Sequence, residues 1–282
     1  MTIDRTDTRS PGSHCRRPVF LPTGRLFLHA AKWPGPADVP PALVLHGIFE
    51  SWRTFAPLAA ELADNRTVYC LDLRGHGASD RPAEGYRFAD YAADILGVLD
   101  GLSARFPEVD LVGHSLGANV ALYAAAAGHP ALGRVVVVDP PILRDEDWPG
   151  LRAAMRHEWW LARRPLNEIV ASLAGARARD ESWLRMIAAA LTDTADGVFE
   201  AMVDGEQEPV DWASVLKPIT VPVLAVAPDP GESGGQLVGA RLAEFRTALP
   251  GAQVVVVPGA GHHVELDRPV ELLRLVDGFL RR

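Results

Sequence analysis

The segment Gly113-His114-Ser115-Leu116-Gly117 sets a serine between two glycines at a spacing suited to nucleophilic catalysis. Before it, Val109-Asp110-Leu111-Val112 has the character of a buried strand; after it, Ala118-Asn119-Val120-Ala121-Leu122-Tyr123-Ala124-Ala125 is a strong helix former. A serine in such a strand-to-helix turn is held on a strained backbone. The glycines remove side chains that would clash, and the hydroxyl is left exposed. The turn also puts the serine at a helix N-terminus, where free N–H groups and the helix dipole favour an oxyanion. Ser115 is therefore the candidate nucleophile, and the Leu116 N–H is one candidate oxyanion donor. The same string in a bland turn would carry no chemistry; the strand and helix around it favour the functional reading.

Positioning such a serine takes a sheet. Short β-branched runs alternate along the chain with Ala/Leu-rich stretches of helical period, which predicts a mostly parallel sheet covered by helices. Strands are expected at 19–21 and 25–31, joined around Pro22-Thr23-Gly24, and at 42–46, 67–72, 109–114, 134–139, 222–227 and 253–257. Between Asp139 and Pro218 the alternation stops. That stretch reads as helical and holds five of the seven tryptophans, Trp148, Trp159, Trp160, Trp183 and Trp212. Pro140-Pro141 and Pro218 with Pro222 punctuate its ends. The expected organisation is a flexible leader over 1–18, an α/β core over 19–139 and 218–282, and a helical cap over 140–217.

Composition narrows the function classes. A formal charge of −8 without a basic tract argues against a nucleic-acid partner. The longest apolar runs have strand length and predict no membrane span. The first eighteen residues lack the apolar core of a secretory signal. Two cysteines, Cys15 and Cys70, suggest no disulfide framework, and a cytoplasmic location is the expectation. Neither a metal-ligand spacing nor a dinucleotide or phosphate-binding glycine pattern occurs, so no cofactor and no metal are expected. No feature specifies an oligomer.

Three further motifs accompany the serine turn in order: Leu45-His46-Gly47-Ile48-Phe49-Glu50-Ser51-Trp52, Asp72-Leu73-Arg74-Gly75-His76-Gly77-Ala78-Ser79 and Pro258-Gly259-Ala260-Gly261-His262-His263. With these the chain resembles the α/β-hydrolase superfamily over most of residues 42 to 282, the cap excluded. The resemblance implies an eight-stranded, mostly parallel sheet flanked by helices. It implies Ile48 as the second oxyanion donor, with Phe49 beside it, and His262 as the base, with His263 its adjacent rival. His46, His76 and His114 read as structural; His14, His29 and His129 as surface or tail residues; and His157 as a solvated cap residue that could meet substrate. The superfamily supplies its orienting carboxylate after either of two strands. Asp139 is the favoured acid and Asp229, in an imperfect match, the alternative; the acid not used would cap a loop or helix.

The reaction so implied is acyl transfer on a carboxylic ester or lactone of a hydrophobic small molecule. Phe49, Trp160 and Trp183 are candidate substrate contacts, although cap tryptophans more often fill the cap's own core. Asp in place of Ser115 would point to epoxide or halide chemistry, which this chain disfavours. Two other readings stand beside the hydrolase: a non-hydrolytic enzyme such as a cyclase or lyase, and a ligand-binding receptor with a vestigial triad.

Overall fold

The structure is a computed structural model that describes residues 16–176, 180–204 and 210–281. An antiparallel hairpin of β1 (Arg17–Pro22) and β2 (Phe27–Trp33) opens the sheet, with Gly24 at φ 85° in its turn. Arg17 and Pro18 are thus strand, which shortens the expected leader; residues 1–15, with His14 and Cys15, lie outside the described residues.

Then come β3 (Ala42–Leu45), α1 (Ala56–Leu62), β4 (Val68–Leu71), α2 (Phe88–Ser103), β5 (Val109–His114), α3 (Leu116–Ala126) and β6 (Leu132–Val138). Among the described residues five α-helices stand between β6 and β7: α4 (Trp148–Leu161), α5 (Leu166–Ala176), α6 (Glu181–Thr192), α7 (Asp196–Asp204) and α8 (Trp212–Leu216). The chain re-enters the sheet with β7 (Val223–Pro228), α9 (Gly239–Ala248), β8 (Gln253–Val257), α10 (Val264–Asp267) and α11 (Pro269–Leu280). The eight strands lie in the order β1-β2-β4-β3-β5-β6-β7-β8; β3 to β8 run parallel, and β2 pairs antiparallel with both β1 and β4.

The central strands are apolar on both faces because helices cover both. Leu43, Leu45, Leu111, Val135 and Val137 point to one face, where they join a core with Tyr91, Ile95 and Val120 of α2 and α3. Their alternates Ala42, Val44, Val112, Val136 and Val138 pack with Leu58 and Leu62 of α1 and with Leu272 and Val276 of α11. Among the described residues, no helix is long and apolar enough to cross a membrane. Cys70 is a buried free thiol in the second core.

Candidate active site

The candidate nucleophile stands where the middle of the sheet meets a helix. Ser115 follows β5, adopts φ 50°, and is 7 % exposed. Its N–H bonds the Val138 carbonyl at 3.0 Å, and the next turn is pinned by Gly117 N–H to the His46 carbonyl at 3.1 Å. A Cβ on Gly113 would land on the Gly117 carbonyl, and one on Gly117 on the carbonyls of Leu45 and His46. Neither neighbour is a flexible side-chain end, so Gly117→Ala is expected to destabilise the fold by about 2–4 kcal/mol in chemical denaturation. Gly101→Ala, in α2 with open space around the new methyl, is expected to stabilise it by about 0.5–1 kcal/mol.

Among the described residues three non-glycine residues have positive φ: Phe49 at 62°, Ser115 at 50° and Asp139 at 44°. Each sits just beyond a parallel strand, β3, β5 or β6, at the same end of the sheet. Backbone strain gathered there is characteristic of sites where side-chain aim outranks stability.

Asp139 is fully buried. Its Oδ2 lies 2.6 Å from His262 Nδ1, and its carboxylate accepts the backbone N–H groups of Gln236 (2.9 and 3.0 Å) and Leu237 (2.6 Å). Asp229 instead accepts from Gly231 N–H at 2.9 Å and Gly259 N–H at 2.8 Å, so it ties down the loop ahead of His262. Burial lowers the His262 pKa from its ordinary value, against the bond to Asp139, which raises it; this favours the neutral ring that a base needs.

Ser115 and His262 line one cavity of about 190 Å³ together with Ile48 and Leu116. Leu116 is the first residue of α3, so its N–H has no partner within the helix. Around Ile48 the amides of Gly47, Phe49 and Glu50 are engaged by Glu50 Oε2, His76 Nε2 and the Gly47 carbonyl. Pro141, Leu143, Leu151, Met155, Met202 and Phe88 make the rest of the wall, with Gln236 as its further polar member.

The expected aromatic contacts lie elsewhere. Phe49 is buried and stacks on Phe199 at 4.7 Å. Trp160 is 52 % exposed, because α4 turns Leu151 and Met155 inward and leaves Trp160 outside, beside His157 and the Arg164 guanidinium. Trp183 is buried with its edge against His263 at 5.4 Å. None of the three lines the cavity with Ser115.

The other histidines divide as their loops dictate. His46 Nδ1 bonds the Gly47 carbonyl at 2.6 Å while Nε2 accepts from Leu73 N–H at 3.0 Å. His76 Nδ1 bonds the Arg74 carbonyl at 2.9 Å, and burial pushes its pKa down to about 3. His29, expected on the surface, is buried, with Nδ1 2.8 Å from Asp72 Oδ2, because β2 lies inside the sheet rather than at its edge.

No metal-ligand spacing was visible in the sequence, yet the fold gathers Glu50, His114, His263 and Glu265, whose donor atoms lie within 4.8 Å of one another. Neighbouring ligands of a tetrahedral zinc are roughly 3.4 Å apart. The short contact inside the group, His263 Nδ1 to Glu265 Oε1 at 2.9 Å, is a hydrogen bond. Elsewhere, a larger groove of about 940 Å³ runs between α8, α9 and the segment around Arg144, and holds neither Ser115 nor His262.

Comparison with known proteins matches the chain to one family. The 2-(acetamidomethylene)succinate hydrolase of Mesorhizobium japonicum is 35 % identical over 277 residues, covering 91 % of this chain and 92 % of that one. The N-formylmaleamate deformylase of Pseudomonas putida is 30 % identical over 233 residues, covering 80 % and 82 %. A crystal structure of E-2-(acetamidomethylene)succinate hydrolase superposes with a TM-score of 0.80 at 29 % identity, covering 94 % of this chain and 99 % of that one. The enol-lactonase of Burkholderia xenovorans, at 20 % identity and a TM-score of 0.76 (93 % and 99 % covered), shares the fold. The model of the alpha/beta hydrolase family matches residues 42–275, and the chain belongs to that family.

Proposed function

We propose that this chain is a serine hydrolase that cleaves an uncharged, apolar carboxylic ester or lactone through an acyl-enzyme. The observation that carries the reading is one cavity in which Ser115, His262, Ile48 and Leu116 meet, with Asp139 bonded to the far side of the His262 ring. Ser115 Oγ attacks the carbonyl carbon as His262 takes its proton, and the Ile48 and Leu116 amides receive the oxyanion. His262 gives the proton to the departing alcohol oxygen; a water then attacks the acyl carbon while His262 takes its proton, and His262 passes that proton to Ser115 Oγ as the acyl–oxygen bond breaks and the acid leaves. Asp139 accepts the Nδ1–H, holds the tautomer and stabilises the imidazolium. Helices α4 and α7, which supply Leu151, Met155 and Met202, act as a cap over the reacting carbon.

The wall supports the choice of substrate class. A succinate carries two carboxylates, whereas among the described residues no Lys or Arg lines this cavity. An anionic acyl group would be desolvated there without a partner. On a panel of phenyl esters, short uncharged acyl groups are expected to give kcat/KM at least about tenfold above a hemisuccinate. Met202→Ala is expected to move the optimum to longer acyl groups. Preference for the hemisuccinate, or for N-acyl enamine acids over every ester, would overturn the substrate class while leaving the serine chemistry standing.

A further inference from the structure

Behind the cavity wall, four ionisable side chains from three segments of the chain meet, largely shielded from water. Glu50 belongs to the loop that carries Ile48, His114 immediately precedes Ser115, and His263 and Glu265 follow His262. Each is at most 8 % exposed.

The positions of the protons follow from the partners. His114 Nε2 is 3.0 Å from the carbonyl oxygen of His262, which only accepts, so that nitrogen carries hydrogen. His114 Nδ1 faces Glu50 Oε1 at 3.4 Å, and Glu265 Oε2 lies 3.9 Å from Nε2. Nδ1 makes no hydrogen bond, but with a carboxylate near each nitrogen the surroundings favour a proton on both. His263 Nδ1 donates to Glu265 Oε1 at 2.9 Å and stands 3.7 Å from Glu50 Oε1, while Glu50 Oε2 receives the Gly47 N–H at 3.2 Å. The His114 ring thus lies between two carboxylates, and the contacts tie the segment at Glu50, the end of β5 and the start of α10 to one another.

We propose that Glu50, the His114 imidazolium, His263 and Glu265 form a positioning network that locks the oxyanion loop, the nucleophile turn and the base loop into one register. The inference rests on the Ser115–His262 reading above. Burial disfavours the His114 charge, but Glu265 and Glu50 outweigh it and raise the group to about 10. Burial likewise pushes Glu50 and Glu265 up, and the His114 charge beside them brings both below the ordinary carboxylate range. The His114 and His262 rings are 4.7 Å apart, so the same charge opposes protonation of the base, as burial does and as Asp139 does not. The groups around His114 are Glu50, Glu265, His262 and His263, with His46 on the adjoining loop and the Phe55 ring on the remaining side.

His114→Gln retains an N–H for the His262 carbonyl and loses the charge. It is expected to lower kcat by about 10–100-fold with KM within about threefold, and to move the acid limb of kcat/KM to higher pH by about half to one unit. Adding Glu50→Gln removes the surplus carboxylate and is expected to return part of the lost kcat. Glu50→Gln alone leaves the ring in place; it is expected to let His114 lose its proton earlier and so bring the alkaline limb of kcat to lower pH, a readout that survives if His114→Gln does not fold. Turnover-free nitrogen-15 NMR of labelled histidines in Ser115→Ala is expected to show one doubly protonated ring at pH about 8.5. A neutral His114 in that spectrum, or unchanged kcat and pH limbs in the folded variants, overturns the network. So does a stoichiometric transition metal whose removal by chelator abolishes turnover, since the group would then be a metal centre. A wild-type chain with the imidazolium signal but no hydrolysis of any ester counts against the Ser115 reading instead, and its register-setting role falls with it.

Discussion

Ser115→Ala is expected to reduce ester turnover by about 10⁴- to 10⁶-fold while leaving the fold intact. The substitution removes only Oγ. Alanine keeps the Cβ, meets the same φ of 50° and preserves the backbone bond to Val138, so the thermal midpoint is expected to move by no more than a degree or two. The oxyanion donors and cavity persist, which is why some acceleration over water remains. Mass spectrometry of wild type quenched with an activated ester is expected to show one acyl group, absent from the variant. Full activity in Ser115→Ala would sink the mechanism outright.

Asp139→Asn carries the second large effect, a loss of about 10³- to 10⁴-fold in kcat. Asparagine fills the same space and tolerates positive φ, but its NH₂ can only donate, so it stabilises the His262 tautomer that cannot accept the serine proton. Because Asp139 raises the His262 pKa against burial, its removal is expected to carry the acid limb of the remaining activity to lower pH. Asp229→Asn breaks two backbone bonds at Gly231 and Gly259 and touches no ring, so its rate is expected to stay within about threefold of wild type. Should Asp229→Asn alone collapse kcat, the acid has been misassigned.

The sheet was readable because each central strand is a short apolar run between turn residues, and all eight expected strands are present to within a few residues. Ser115 was readable for a related reason: strand, glycines, serine and helix are consecutive, so the signal is local. The candidate acid was a choice between two because Asp139 and Asp229 both follow a strand. What separates them in the structure is the contact of Asp139 with the His262 ring, between residues 123 positions apart, which no local pattern encodes. Trp160 and Trp183 misled because composition reports that a helix has tryptophans but not which side of it packs inward. His114 and His263 were read singly, as a structural residue and a rival base, and their grouping with Glu50 and Glu265 was not legible because the four come from three separate stretches of sequence; the one local hint is that each stands within three positions of a residue assigned to the reaction.

The three positive-φ residues Phe49, Ser115 and Asp139 each hold a conformation costing of order 1–3 kcal/mol. This makes the site the natural hunting ground for thermostabilising substitutions and a poor place to accept them. Phe49→Gly or Asp139→Gly relaxes the backbone, yet the first gives up the stack on Phe199 and the second the carboxylate on His262. Selection for heat resistance alone would therefore drift toward sturdier, inert proteins, and a screen for durable variants has to score turnover in the same round.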